Sequence, residues 1–440
     1  KPWFMSYDYH HDDITFNEHG QIITGTMEAL VERLTLHDCS VDSEYISTFL
    51  LTFRSFCTPI RFLDILMTRF HLTPPEELTD SEHAEWAQQK KIPVRLRVIN
   101  VIKTWLESYF FDDEDVACIQ PLHEFIESTL RDTMSSSANR LAQLVESKQD
   151  CLNPDSSSYA SIPDTPPPSP RLQRSILHSL LDGLPISIYD IEPLEIARQL
   201  TLMDGRLFGA IRPHELIGQE FSKKDLSTAT NVRAMTARSN RITAWVVVSV
   251  LSEPELKRRA SALKYFLKVA DALLILNNYN TLMAVACGLV YSAISRLHLT
   301  WKSLSGKYAT LMKTLDSITD PDRNFATYRA RIRQQPPPCL PFLGVYLTDL
   351  TFTDDGNQTF RRQSSADRNT AEESPKSFIN FHKYFQTVRI IKEIQGFQVP
   401  YNLKDVPELQ QHLLGDFERC FAHFEPASLY DISLRLEPRK

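Results

Sequence analysis

The chain has 440 residues, 42% of them hydrophobic, and a net charge of −7. That is enough apolar side chain for two or three domain cores, and no bulk charge to draw nucleic acid or an anionic membrane. Only 12 glycines occur, well under the usual share of about 7%, which favours long helices over tight β-turns. Seven cysteines, an odd number without CxxC spacing, point to thiols in a reducing, cytoplasmic setting rather than to disulfides or zinc. The run AWVVVSVL is far shorter than the ~18 apolar residues of a membrane span. The start, KPWFMSYDYHHDD, has no apolar signal region and reads as a boundary inside a larger protein.

In chain order, Thr26 is placed to cap a helix with Glu28 in its first turn, followed by Met27, Leu30, Val31 and Leu34 at helical spacing. SEYISTFLLTFRSF sets Ile46, Phe49, Leu50 and Phe53 on one face, and VRLRVINVIKTWLESYF predicts a further helix with Trp105 in its core. The acidic run in FFDDEDVA reads as a solvated turn in preference to a metal site. Composition shifts near Thr133 to the serine- and proline-rich SSSYASIPDTPPPSPRLQRS, a linker that a proline-binding module could read. Thr165 and Ser169 in it precede proline and are either phosphate acceptors or part of an unmodified spacer. Helices resume at IEPLEIARQLTLMD, where Pro193 suits a first turn. SEPELKRR predicts a capping box from Ser252 to Glu255, ahead of Leu256, Ala260, Leu263, Leu267, Ala270 and Leu274 at alternating spacings of four and three. Phe378, Phe381, Phe385 and Val388 repeat the helical pattern, which Gly396 ends. No sustained period-two strand and no internal repeat is expected. The sum is two all-helical domains, 20–135 and 188–440, with an N-terminal extension over 1–19 and a Pro/Ser linker over 136–187.

Motifs for bond-making chemistry do not emerge. GxSxG, HExxH and GxGxxG are absent. Gly306-Lys307 resembles the end of a P-loop, but Trp301 stands at the first glycine's place and no Ser or Thr follows the lysine. His10, His11, Asp12 and Asp13 are weighed as metal ligands and preferred as a polar start; His123-Glu124 lacks a second histidine. The sequon at Asn357 is noise in a reducing compartment. The expectation is a protein that acts by binding, with no cofactor and no metal. One stretch poses a question: PPPCLPFLGVYLTDLTFTDDGN reads as an apolar helix with Asp354 and Asp355 on its tail, where the macrodipole disfavours acids.

PLEIARQLTLMD from Pro193, ELIGQEF from Glu215, NRITAWV from Asn240, LNNYNTLMAVACGL from Leu276, ISRLHLTW from Ile294 and NFATYR from Asn324 lead in order to PPCLPFLGVYLTDLTF. This ordered series resembles the catalytic domain of Ras-family guanine-nucleotide exchange factors. GTMEALVERLT from Gly25 and YISTFLLTFRSF from Tyr45 resemble the companion Ras exchanger motif domain, in a style similar to a fungal cousin of the Son of Sevenless exchangers. The resemblance implies an all-helical bowl with a protruding helical hairpin. The first hairpin helix would run from near Pro341 to about Asp354, and the second would hold SFINFHKYFQTVRIIKEIQGFQ. A polar tip over 356–377 would join them, and the N-terminal domain would brace the hairpin. In the family the hairpin wedges beside the bound nucleotide and displaces switch I, while the bowl grips switch II.

The resemblance implies roles for particular residues. Thr351 falls at the family's apolar magnesium-blocking position and Asp355 at its acidic phosphate-mimic position, where the better-known pattern has Leu and Glu; Asp354 is a neighbouring substitute, and Asn357 belongs to the same catalytic group. An ordinary Asp-Asp-Gly turn is the alternative for the two acids. Asn240, Met283, Asn324 and Phe325 fall on the surface facing switch II, and Val290 stands where Son of Sevenless carries a polar contact. Phe342, Val345 and Thr348 on the first hairpin helix complete the GTPase-binding group; Phe342 also packs, with Leu343, Leu347 and Leu350, to set the helix angle. Arg296 and Leu297 belong to the scaffold. The implied partner is a Ras-family small GTPase, GDP-bound and nucleotide-free, with a second Ras–GTP between the domains in some relatives, and the protein is expected to be recruited peripherally to membranes. A non-catalytic scaffold of the same fold is the competing reading, and an unrelated helical hydrolase a remote third.

Overall fold

A computed structural model of the chain describes residues 2–151, 167–224, 228–362 and 377–439. Thr165, most of the Pro/Ser stretch and most of the expected polar tip lie outside the described residues. The described chain is predominantly helical and divides into two compact units. The first comprises residues 1–159, 217–219 and 350–391; the second comprises 160–216, 220–349 and 392–440.

In the first unit, Thr26 caps the helix Met27–Leu34 by accepting from the Ala29 amide at 3.3 Å. Asp42 caps Ser43–Thr52, and Thr58 caps Pro59–Phe70 with the proline in its first turn. The core gathers Phe49, Phe53, Phe62 and Trp105, all fully buried. Their ring centroids lie 4.6–6.2 Å apart, within the range of favourable edge and offset contacts. Ile46, expected on the same face, is half-buried at the core's rim. The acidic run over 112–115 is more than a solvated turn. Asp115 is fully buried and accepts from the Arg54 guanidinium, the Trp105 indole N–H at 2.9 Å and the Phe111 amide at 3.0 Å. A buried carboxylate persists only when paired and hydrogen-bonded in this way.

The first unit also contains strands that the pattern did not announce. Strands β1 (Ile14–Phe16), β2 (Ile22–Gly25), β3 (Phe360–Arg362) and β4 (Ser377–Asn380) form an antiparallel sheet in the order β1-β2-β4-β3. At three or four residues each, they are too short to display an alternation. Phe378 therefore lies in β4, which runs directly into the helix Phe381–Gly396. Phe381 and Tyr384 from that helix enter the core built by the N-terminal helices.

In the second unit, Pro193 opens the helix Pro193–Ala210 as expected. The helices Thr230–Leu251, Leu256–Ile275, Tyr279–Leu289 and Pro407–Ala422 pack with it around Trp245, whose ring meets Phe266 at 4.9 Å and Phe417 at 5.2 Å. Thr230–Leu251 and Tyr279–Leu289 approach so closely that a Cβ on Gly288 would stand 2.7 Å from the Val246 Cβ. The predicted capping box at Ser252 does not form. The preceding helix runs up to Ser252, whose hydroxyl donates back to the Val248 carbonyl at 2.7 Å, and Glu255 takes the cap position without a side-chain bond. Ala260, Leu263, Leu267, Ala270 and Leu274 are buried as the spacing predicts, while Leu256 is exposed. Leu297 is fully buried, and Arg296 donates to the carbonyls of Ser433 and Glu437.

Candidate functional site

The apolar stretch after the prolines forms the helix Leu343–Asp355, and Phe381–Gly396 is its partner. Their side-chain ties pair an early residue of one with a late residue of the other, so the helices run antiparallel. In the second unit the Tyr346 hydroxyl donates to Glu393 at 3.0 Å. Burial, with the Glu393 carboxylate adding to it, pushes the Tyr346 hydroxyl far above its ordinary pKa, so it stays a donor. In the first unit the Lys383 ammonium pairs with Asp354 at 2.5 Å. The division between the units falls inside both helices.

Where the first helix begins, the second unit holds it by its backbone. Leu340 donates to the Asn277 carbonyl at 2.9 Å and accepts from the Tyr279 amide at 2.8 Å. The Phe342 amide donates to the Tyr328 hydroxyl at 2.8 Å, and the Phe342 and Phe325 rings meet at 5.9 Å. Val345, predicted as a contact, is 1% exposed and packs in the core. Met283 is also buried, whereas Asn240, Val290 and Asn324 are exposed and Phe325 is half-buried. Asn324 and Phe325 stand with Arg323 in three consecutive left-handed conformations, φ +52° to +57°. Each costs about 1–2 kcal/mol for an L-residue with a Cβ, asparagine least. Arg329 answers that turn: it donates to the Asn324 carbonyl and side chain and forks onto Asp349 of the hairpin helix.

Beneath the helix Tyr279–Leu289 lies a polar cluster that the sequence reading passed over. Asp204 is fully buried and accepts from the Thr281 hydroxyl at 2.7 Å and the Asn280 amide at 3.2 Å, with the Arg238 guanidinium 4.0 Å away. Burial raises its pKa; Thr281, Arg238 and Asn280 counter that only in part.

At the far end, in the first unit, Asp354 and Asp355 are bridged by the Gln219 side-chain amide, at 3.1 and 2.7 Å. Gln219 stands in a left-handed turn with Gly218, φ +55° and +60°. Lys383 is 5% exposed. An acid on a helix tail costs about 0.3–1 kcal/mol, but leaving a buried ammonium unpaired costs about 3–5 kcal/mol. Half-exposure of Asp354 lowers that figure without reversing the order, so pairing wins, and this accounts for the acidic tail. Asp355 is exposed, Thr351 half-buried, and the Asn357 amide donates to the Thr353 carbonyl at 3.0 Å. The sequence reading missed Phe352, 69% exposed beside them. Its signal was its spacing: Thr348, Phe352 and Asp355 recur at helical intervals, and all three are exposed.

The fold and this geometry define a predominantly helical protein with a pair of fastened antiparallel helices. Residues 195–385 match the RasGEF domain, and 21–126 match the RasGEF N-terminal motif. The chain belongs to the RasGEF family. It is 36% identical over 422 residues to the Dictyostelium discoideum protein named Ras guanine nucleotide exchange factor A, covering 94% of this chain and 65% of that protein. It is 35% identical to Ras guanine nucleotide exchange factor J of the same organism, covering 95% of this chain and 48% of that protein. Cell division control protein 25 of Saccharomyces cerevisiae is 30% identical, covering 100% of this chain and 28% of that protein. The chain thus spans less than two thirds of each of these relatives. Among the described residues, no helix is long and apolar enough to cross a membrane.

Proposed function

We propose that the chain accelerates GDP release from a Ras-family small GTPase, so that GTP can load, by insertion of the hairpin beside the nucleotide. The observation that carries this is the RasGEF match over 195–385, which includes the whole helix Leu343–Asp355. A GTPase that holds its nucleotide near 1 pM does so by about 16 kcal/mol, and no covalent bond need break to release it. A partner that favours the empty state weakens nucleotide by the factor by which nucleotide weakens the partner. In this reading the first hairpin helix supplies the incompatibility. Thr351 offers Mg²⁺ a methyl group, and Asp355 competes for the donors that cradle phosphate. Asn357 follows that helix, its side-chain amide on the Thr353 carbonyl, while Asn240, Met283, Val290, Asn324, Phe325, Phe342, Val345 and Thr348 belong to or support the GTPase-facing surface. The domain limits 20–135 and 188–440, the helical bowl and peripheral recruitment from the cytoplasm are parts of the same reading. A second, distal GTPase site is not, since nothing supports one.

The test is release of a fluorescent GDP from purified Ras, Rap and Ral proteins, with and without the chain. Acceleration of at least one, lost with Thr351→Glu, is expected. Tight binding to a nucleotide-free GTPase without acceleration of any would replace the exchange reading with the scaffold one.

A further inference from the structure

We propose that Arg329 is a positioning residue that ties the left-handed turn at 323–325 to the first hairpin helix, so that engaging the turn and aiming the helix are one event. The inference deepens the exchange reading and rests on it for the identity of the partner.

All the parts lie in the second unit. The Arg329 Nε donates to the Asn324 carbonyl at 2.8 Å, and Nη2 donates to the Asn324 side-chain oxygen at 3.1 Å. The same guanidinium forks onto Asp349, Nη1 to Oδ2 and Nη2 to Oδ1, both at 2.8 Å. Every nitrogen of one planar group is thus engaged, one edge on the turn and one on the helix. Lysine cannot copy this, because an ammonium is a point donor without a fork. Asp349 sits two residues before Thr351 and six before Asp355 on one continuous helix.

A second link runs parallel to the first. Phe325, the last left-handed residue, meets the Phe342 ring at 5.9 Å, and the Phe342 amide is held by the Tyr328 hydroxyl at 2.8 Å. Three successive residues with side chains adopt a backbone that L-residues avoid, and such geometry persists only where its surroundings over-determine it. Here the over-determining group is bound to the hairpin helix. A partner that presses on the exposed Asn324 therefore works against the Arg329–Asp349 pair, and the helix must follow.

The experiment is a double-mutant cycle on GDP release. The chain, Arg329→Lys, Asp349→Asn and the double variant are each titrated against a GTPase that the unaltered chain activates. The maximal release rate should fall about tenfold in each single variant, as expected when a reacting geometry is misaimed. The half-saturating concentration should stay within about twofold, and the double variant should be no slower than the slower single one. Amide hydrogen exchange over 343–355 should be faster in both single variants. Multiplying losses, an unchanged maximal rate, or a loss confined to half-saturation would overturn the proposal. If the unaltered chain activates no GTPase, the exchange reading fails on its own, and the tie is judged by hydrogen exchange: unchanged protection of 343–355 in Arg329→Lys would sink it.

Discussion

Phe381→Ala is the sharpest probe of whether the hairpin depends on the N-terminal helices. Phe381 is fully buried in the first unit's core. Its ring centroid lies 5.1 Å from that of Tyr45, 6.1 Å from Phe49, 6.3 Å from Tyr384 and 5.1 Å from Phe385. Truncating a buried phenylalanine costs about 3–5 kcal/mol, and four ring neighbours place this site toward the upper part of that range. Against a typical domain stability of about 5–15 kcal/mol, that is a large share. Urea unfolding should register it, and hydrogen exchange should place the lost protection in 381–391 and in 27–52. GDP release, in the reading above, should slow while the GTPase is still bound, because the hairpin loses its footing. Phe385→Ala, at a half-buried site, should do less of both. A loss below about 1 kcal/mol would show that the site collapses around the gap and that the packing argument is wrong. A full-sized loss with an unaltered release rate would show that the first unit's core is irrelevant to the hairpin's action.

Two further outcomes follow from buried carboxylates. Asp115→Ala should cost about 3–5 kcal/mol in urea, because it strands the buried Arg54 guanidinium together with the Trp105 and Phe111 donors; Asp113→Ala, exposed in the same run, should stay within about 0.5 kcal/mol. Asp204 makes the opposite kind of contribution. Its folded pKa is raised by burial, so the folded chain keeps a proton that the unfolded chain releases near about 3.9. Stability therefore declines as pH rises from there toward the folded value, and then levels. Asp204→Asn should remove this decline, so that its stability relative to the unaltered chain improves between pH 4 and pH 7; parallel urea curves across that range would refute the assignment.

What the sequence showed and what it hid divide by range of interaction. Thr26, Pro193 and the Ala260–Leu274 stripe were legible because a cap or a face is set within four residues. Ser252 misled because its hydroxyl had two local partners, an amide ahead to accept from and the Val248 carbonyl behind to donate to, and the helix already under way claimed it. Phe378 matched the helical spacing of Phe381 and Phe385 but was taken by the pairing of β4 with β3 and β2, partners that lie 15 and hundreds of residues away in the chain. The role of Asp115 needed Arg54, and that of Asp349 needed Arg329; neither pairing leaves a mark in spacing. The family motifs reached Asn324 and Phe325, but not the left-handed backbone that distinguishes them.

The same reasoning separates the two acids on the hairpin. If the hairpin acts as the proposed wedge, it transmits to its target only the differential affinity left after its own deformation, so that reading requires the helices to be held. Tyr346–Glu393 does this in the second unit and Asp354–Lys383 in the first. Asp354 is thereby committed: to meet phosphate donors it would have to abandon a buried ammonium, at a cost of the order of kcal/mol. Asp355 carries no such debt. It is exposed, bound by the neutral Gln219 amide, and three residues from the exposed Phe352. In the proposed exchange reading, Asp355 is therefore the carboxylate assigned to compete for a phosphate site, and Asp354 the one assigned to hold the helix.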